Sequence, residues 1–438
     1  MEKKILLQLW REDGEQIGHQ MAVSLGITTE HLDRLVQHIE KTHETVKYIY
    51  EVDRNEIDGL LDEAFLKQIG STGEQILSVV CRPQTVAYTC PVTRCTGAIP
   101  GHSEAILCVS FSPDGRGLAS GGGDGSVRFW DLTTNTPKTK STEHSKWVLC
   151  LRWSPDSRYV VSGGMDSAVV VWDGASGVSL GNKMAKHSKW VSSAAWEPST
   201  PSGGQRRFAT GSGDGSVKVW GLSGVLFSFV QHTDSVTCVK WSRRGVVFSA
   251  SRDRTVRGWC PEKRVQLFVL SSHAHWINTI SLSSESPGQE TEDTPDRVVS
   301  ASDDTTLALW VPEKDTKPVC RMTGHQGVVC DAKFSPDGKL VVSASFDKSI
   351  MLWNGFTGER LFRFFGHVGP VYQLSWAPDS RLFASGSKDS TLKVWNTSSR
   401  KLSSELPGHS DAVYTVDWSC SGAVCSGGKD KLLRLWKA

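Results

Sequence analysis

From about residue 100 onward, apolar runs of strand length alternate with polar clusters at intervals too short for helices. Leu107 to Ser112 and Leu118 to Ser120 are two such runs, and Pro113-Asp114-Gly115 is the turn between them. The grouping recurs, marked each time by a His, a Ser or Thr, an Asp four residues later and a Trp six residues after that. The first set is His102, Ser120, Asp124 and Trp130, and the sixth is His325, Ser343, Asp347 and Trp353. Successive His residues of the eight sets stand 42, 43, 45, 41, 52, 42 and 42 positions apart. A period of roughly 40 to 45 residues with these marks predicts the four-stranded blades of a β-propeller. Eight blades are expected.

Within a unit, the Asp falls in a tight turn such as Gly123-Asp124-Gly125. There its carboxylate can accept hydrogen bonds from turn amides and from the His ring, while the Ser or Thr hydroxyl links that His to the Trp indole. Eight copies argue against catalytic triads, since an enzyme needs one site and not a copy in every blade. The last unit supplies three strands, so a fourth must come from elsewhere to protect its edge. Val86 to Ile99 precedes the first Gly-His and is expected to fill that position.

The first 84 residues follow another pattern. Residues 3 to 10 and the segment near Gln20 to Val23 flank the turn Glu12-Asp13-Gly14, which reads as a hairpin. Leu32, Leu35, Val36 and Ile39 then recur at helical spacing, with Thr28 or Thr29 as cap. Lys47 to Val52 is a predicted strand, Asp53-Arg54-Asn55 a turn, Glu56-Ile57 its short return and Ile76 to Cys81 a last strand. This order predicts a small α+β ubiquitin-like domain over residues 1–84, a linker and closing strand over 85–100 and an all-β propeller over 101–438. Glu56 stands at the edge of the turn. Such a carboxylate is ordinarily a solvated charge, and it is also an oxygen donor suited to Mg²⁺ held by a partner.

Charge divides with the domains. Residues 1–84 hold nine Lys/Arg against fifteen Asp/Glu, leaving 40 against 32 for the remainder. An acidic head on a basic ring points to two different partners, although scatter of surface charge would look the same. The eleven cysteines are an odd number without a CxxC, and Cys108, Cys150, Cys238 and Cys330 lie in apolar runs, so buried thiols are expected in a reducing compartment. No apolar run of about 18 residues and no leader pattern is present, which leads us to expect an intracellular protein without a membrane partner. The 52-residue spacing reflects the polar, acidic segment Ser283 to Asp296, expected to be a loop.

Residues beside each Asp share a face with the His loops. Arg252 and Arg254, Lys348, Lys388, and Lys429 and Lys431 are therefore expected to gather there. The His loops add Lys146-Trp147, Lys189-Trp190 and Trp276, each Trp three residues after its His. Cations interleaved with Trp suit phosphate backbones and stacked bases, and equally acidic protein surfaces. Alternatively the rings cap the central channel and the charges are solvated.

At these residues the chain resembles the Notchless family of WD-repeat ribosome-assembly factors along essentially its whole length. The segments carrying the resemblance include RPQTVAYTCPVTRCTGAIPGHSEAI (82 to 106), HAHWINTISLS (273 to 283), SASFDKSIMLWNG (343 to 355) and SGGKDKLLRLW (426 to 436). The resemblance implies a non-catalytic factor that builds the large (60S) ribosomal subunit in the nucleus and nucleolus. Its propeller would dock on pre-ribosomal RNA and protein. Its head would place one acidic residue on the metal-ion-dependent adhesion site of midasin, an AAA ATPase that remodels the precursor, and Glu56 aligns best with that residue. Asp53 and Asp58 are the next candidates. The fifth-repeat insertion is short for the family, and Arg54 adds basic character to the turn. The family's name also implies a second reading, a scaffold in Notch-type signalling. Neither a small-molecule substrate nor a cofactor of its own is expected, because no nucleophile with its base, phosphate loop or metal-ligand spacing is visible.

Overall fold

The computed structural model of the protein describes residues 4–11, 16–24, 27–28, 31–32, 35–36, 39, 48–52, 55–56, 60–61, 77–83, 92–132, 134, 136–181, 183–198, 206–285 and 295–437. The chain divides into two compact units, residues 1–88 and 89–438.

In the first unit, Lys4–Arg11 and Gln16–Ser24 form the predicted antiparallel hairpin, and Leu77–Pro83 joins Lys4–Arg11 in parallel. Tyr48–Val52 pairs on the far side of Leu77–Pro83, and Asn55–Glu56 completes a five-stranded sheet. The period-two pattern of Lys4–Arg11 buries Ile5, Leu7 and Leu9 and leaves Leu6 exposed. Leu32 and Val36, one helical turn apart, close the core against Tyr50, Leu77 and Val79. Thr28 lies in a two-residue strand, Ile27–Thr28, paired with Leu60–Leu61, and the residues between it and the helix lie outside the described set. Asp53, Arg54, Ile57 and Asp58 lie outside the described residues, as does Thr29. Glu56 pairs through its backbone with Glu51.

The second unit consists of eight antiparallel sheets. Blade 1 runs from the inner strand Ile106–Phe111 through Gly117–Gly122 and Val127–Asp131 to the outer strand Thr136–Ser141. Blade 2 departs from the four-stranded expectation. Its strands are Val148–Trp153, Tyr159–Gly164 and Val169–Asp173, and among the described residues its outer position is held by the bridges Val169 to Met184 and Trp172 to Ser179. Gly181 lies in that outer run, where a missing side chain weakens a strand. In blade 5 the acidic insertion joins the first two strands, Ile277–Leu282 and Val298–Ser302; residues 286–294 of it lie outside the described set.

Blade 8 takes its outer strand from before the repeats. Arg94–Pro100 pairs antiparallel with Leu432–Lys437, so the closing strand begins later than the expected Val86. Ring closure is hydrogen-bonded at every junction between inner strands. The Trp153 and Trp196 indoles donate to Ser110 O and Arg152 O of the preceding blade at 2.9 and 3.0 Å. Ser193 Oγ accepts from Val239 N, and Thr237 Oγ1 donates to Ile277 O. Onward around the ring, Phe334 N donates to Ser281 Oγ, Leu374 N to Asp331 Oδ2 and Val416 N to Gln373 Oε1. Phe111 N donates to Asp417 Oδ2 at 2.8 Å, joining the first blade to the last.

Candidate functional site

Each blade buries one polar tetrad. In blade 1, His102 Nδ1 lies 3.0 Å from Asp124 Oδ1 and Nε2 lies 2.8 Å from Ser120 Oγ, which accepts from Trp130 Nε1 at 2.8 Å. In blade 6, His325 reaches Asp347 at 2.9 Å and Ser343 at 2.8 Å, and Trp353 reaches Ser343 at 2.9 Å. The other six blades repeat the arrangement, with Thr210 in place of Ser in blade 3. The indole N–H is an obligate donor, so the hydroxyl accepts from it, and the same oxygen lies within hydrogen-bond distance of His Nε2. Nδ1–H then donates to the carboxylate.

Electrostatics agree with that pairing. Burial pushes His232 and His409 below the ordinary histidine value, more than their Asp partners raise them. Burial opposes ionisation of Asp124 and Asp347, but bonds from His, Ser hydroxyl and backbone N–H outweigh it and hold both carboxyls well below the usual range. The Asp carboxylates accept further bonds from the turn, as Asp124 does from Ser103 N and Ser126 Oγ, and the His and Trp rings are buried.

The same bonds tie the Asp turns to the His loops on one face of the ring. The residue before each Asp donates its amide to the loop leading into the inner strand: Met165 N to Trp147 O, Gly213 N to Trp190 O, Asp303 N to Trp276 O and Lys429 N to Ala412 O. The residue after each Asp has positive φ in all eight blades. Gly125 and Gly215 take that conformation freely, whereas Arg254, Lys348 and Lys431 hold it at φ 67 to 69° at a cost of roughly 1 kcal/mol.

Lys146, Lys189, Arg252, Arg254, Lys348, Lys388, Lys429 and Lys431 are all exposed on this face. Trp147 and Trp276 are 50% and 41% exposed. Trp190 is half-buried, its ring lying against Gly213, where a Cβ would come within 2.4 Å of it. The Arg252 guanidinium lies 4.6 Å over the Trp276 ring, so the cation covers one face of that ring. Blade 5 interrupts the cations with Asp303, which lies 3.5 Å from His275 and accepts from Asn278. Lys429 lies 3.2 Å from Asp411, which raises the ammonium.

One part of the face was not anticipated from the residue pattern. Phe346, Tyr372 and Tyr414 form a ladder of edge-to-face rings at 6.0 and 5.6 Å across blades 6 to 8. Tyr372 and Tyr414 occupy the second position of their inner strands, where the ladder register shifts in every blade. The available signal is positional: in each inner strand the residue directly after the first, buried Val or Ile lies at that register shift and is only half-buried.

Seven segments of the chain, 93–131, 135–173, 179–221, 224–260, 316–354, 358–396 and 400–437, match the family model described as WD domain, G-beta repeat. The unmatched interval, 261–315, contains most of blade 5, which has four strands all the same. The computationally designed protein Ika8, a solved structure, superposes with a TM-score of 0.65 at 26% identity, over 78% of this chain and 98% of that one. Protein Notchless of Drosophila melanogaster is 41% identical over 77% of this chain and 75% of its own length. The Notchless protein homolog of Arabidopsis thaliana is 41% identical over 82% and 81%. Ribosome assembly protein 4 of Saccharomyces cerevisiae is 39% identical over 80% and 77%. Repeats, closing strand and relatives agree: the chain belongs to the Notchless family of WD-repeat proteins.

Proposed function

We propose that the protein is a non-catalytic assembly factor of the large ribosomal subunit, working in the nucleus and nucleolus. The observation that carries this reading is its 39% identity, over most of both chains, to a yeast protein named ribosome assembly protein 4. The exposed cations and rings supply what docking on a precursor requires, since each Lys or Arg set against a phosphate releases counterions and each exposed ring offers a stacking plane. The buried tetrads carry the shape, and the face presented by their turns carries recognition. In the first unit, Glu56 stands on the short return strand and is proposed to complete the coordination of Mg²⁺ held by a midasin-type AAA ATPase, whose pull the head transmits to the particle. A carboxylate fits that ion, which prefers hard oxygen ligands at about 2.0–2.1 Å.

Sucrose-gradient sedimentation tests the reading. An assembly factor travels with large-subunit precursors, whereas a scaffold in Notch-type signalling stays in the soluble fractions, and that second outcome would overturn the proposal. Glu56→Ala, and Glu56→Asp with its shorter arm, should both leave precursor docking intact while abolishing metal-dependent capture of the chain by the ATPase's metal-binding domain. Full, EDTA-sensitive capture of Glu56→Ala would move the role to Asp53 or Asp58.

A further inference from the structure

An outermost strand has a neighbour on one side only, so its other edge presents free backbone N–H and C=O groups that proteins normally guard with charge, proline or irregularity. The blades of this ring differ in how they do so. Aligned on the residue paired with the tetrad Trp, blade 1 directs Lys138 and Lys140 outward, blade 6 Glu359 and Arg363, and blade 7 Lys401 and Glu405. Blade 8 has Arg94 in that row, the short outer strand of blade 5 carries Arg321, and blade 2 has no regular outer strand. Blade 3 presents Gly224, Leu226 and Ser228. Blade 4 alone among the described strands presents an unbroken apolar row, Val265, Leu267 and Val269, on the strand Val265–Ser271.

That row is not needed to hold the blade together. The opposite side of the strand supplies the packing: Phe268 lies against Gly258, where a Cβ would come within 2.1 Å of it, and meets the Phe248 ring at a tilt with centroids 5.5 Å apart, while Leu270 is fully buried. Val265 and Leu267 are each 46% exposed. The strand is therefore anchored by one face and offers the other, with its free edge, to solvent. At its start stand Lys263 and Arg264, both exposed, the latter 5.5 Å over the Phe227 ring of blade 3. The acid of that turn, Glu262, is already paired with Arg207 at 2.7 Å.

We propose that Val265–Ser271 accepts a fifth strand from a partner protein, an extended segment with alternating β-branched or leucine residues and a carboxylate at the end that meets Lys263 and Arg264. Main-chain pairing gives such docking its affinity and the alternate side chains its selectivity. A second copy of this chain is a poorer occupant. Two convex rims meeting through one seven-residue strand each would fall short of the roughly 1,000 Å² a specific interface between folded chains needs, whereas an extended segment requires no second rigid surface. The inference does not depend on the ribosomal reading.

The test pans a phage-displayed library of random dodecamers against the full chain and measures the selected peptides by fluorescence anisotropy. The expected peptides alternate apolar residues, end in an acid, slow amide exchange across residues 265–271 and bind at least tenfold more weakly to Val265→Lys/Leu267→Lys. Leu402→Lys, on the outer strand of blade 7, should bind as the parent does. Should the lysine pair fail to fold, Val265→Thr/Leu267→Thr keeps strand propensity and should still weaken binding. Selected peptides that bind the lysine and threonine pairs unchanged would overturn the proposal. So would self-association of the parent chain in sedimentation that the same substitutions abolish, because the occupant would then be a second copy.

Discussion

The tetrads and the residues next to them in sequence behave oppositely. Across eight blades the distance from the Trp indole to the Ser or Thr hydroxyl stays between 2.7 and 2.9 Å. One position before each Asp, by contrast, the residue is Gly123, Met165, Gly213, Arg252, Asp303, Phe346, Lys388 or Lys429. Burial explains the contrast: a buried donor or acceptor left without its partner costs about 1–3 kcal/mol, while an exposed side chain on a turn is nearly free to change. Repetition in this molecule marks what holds it together, and variation marks where it can recognise something.

The contrast breaks most sharply if an interior member is removed. Trp310→Ala, which empties a fully buried site in blade 5 and frees the Ser300 hydroxyl, should cost about 3–5 kcal/mol in urea denaturation. A smaller loss would mean that the insertion-bearing blade contributes little to the cooperative unit. Excising residues 92–100 should lower the melting temperature and solubility together by uncovering Leu432–Lys437, and unchanged melting would show that the last blade closes without that strand.

Acid should act on the interior before it touches the rim. His232 and His409 are depressed by burial, so the unfolded chain takes up protons that the folded chain refuses, and stability falls as pH drops below about 6.5. Asp124, Asp166, Asp214, Asp253, Asp304, Asp347 and Asp389 are depressed too, and their contribution is whole above about 3.9 and is lost as pH falls further through their folded values. Denaturation midpoints at pH 7.5, 5.5 and 4.5 should therefore decline in that order; a midpoint that rises toward acid would contradict the depression of these groups.

The smallest effect on stability belongs to the rim. Arg254→Glu with Lys431→Glu should shift unfolding by less than about 0.5 kcal/mol while weakening precursor association, more so as salt is lowered toward physiological strength, where phosphate contacts matter most. A loss of several kcal/mol would place these residues with the interior instead.

Much of this was legible because the period is covalent. His, Ser or Thr, Asp and Trp stand at fixed spacings, and two kinds of apolar periodicity separate the head from the ring, so the blades, the bonding within each tetrad and the shared face of the turns followed from residue order alone. The closing strand was legible only in outline, since nothing local in residues 86–99 says at which residue pairing with Leu432–Lys437 begins. The irregular edge of blade 2, the Phe346–Tyr372–Tyr414 ladder and the apolar row of blade 4 were not legible. Each depends on which residues from separate repeats come to lie side by side, or on which side of a strand faces water. The sequence by itself determined a ring of eight self-satisfied units. Only the tertiary structure decided what that ring shows to others, because a side chain's exposure is set by neighbours some forty residues away and not by its own place in the repeat.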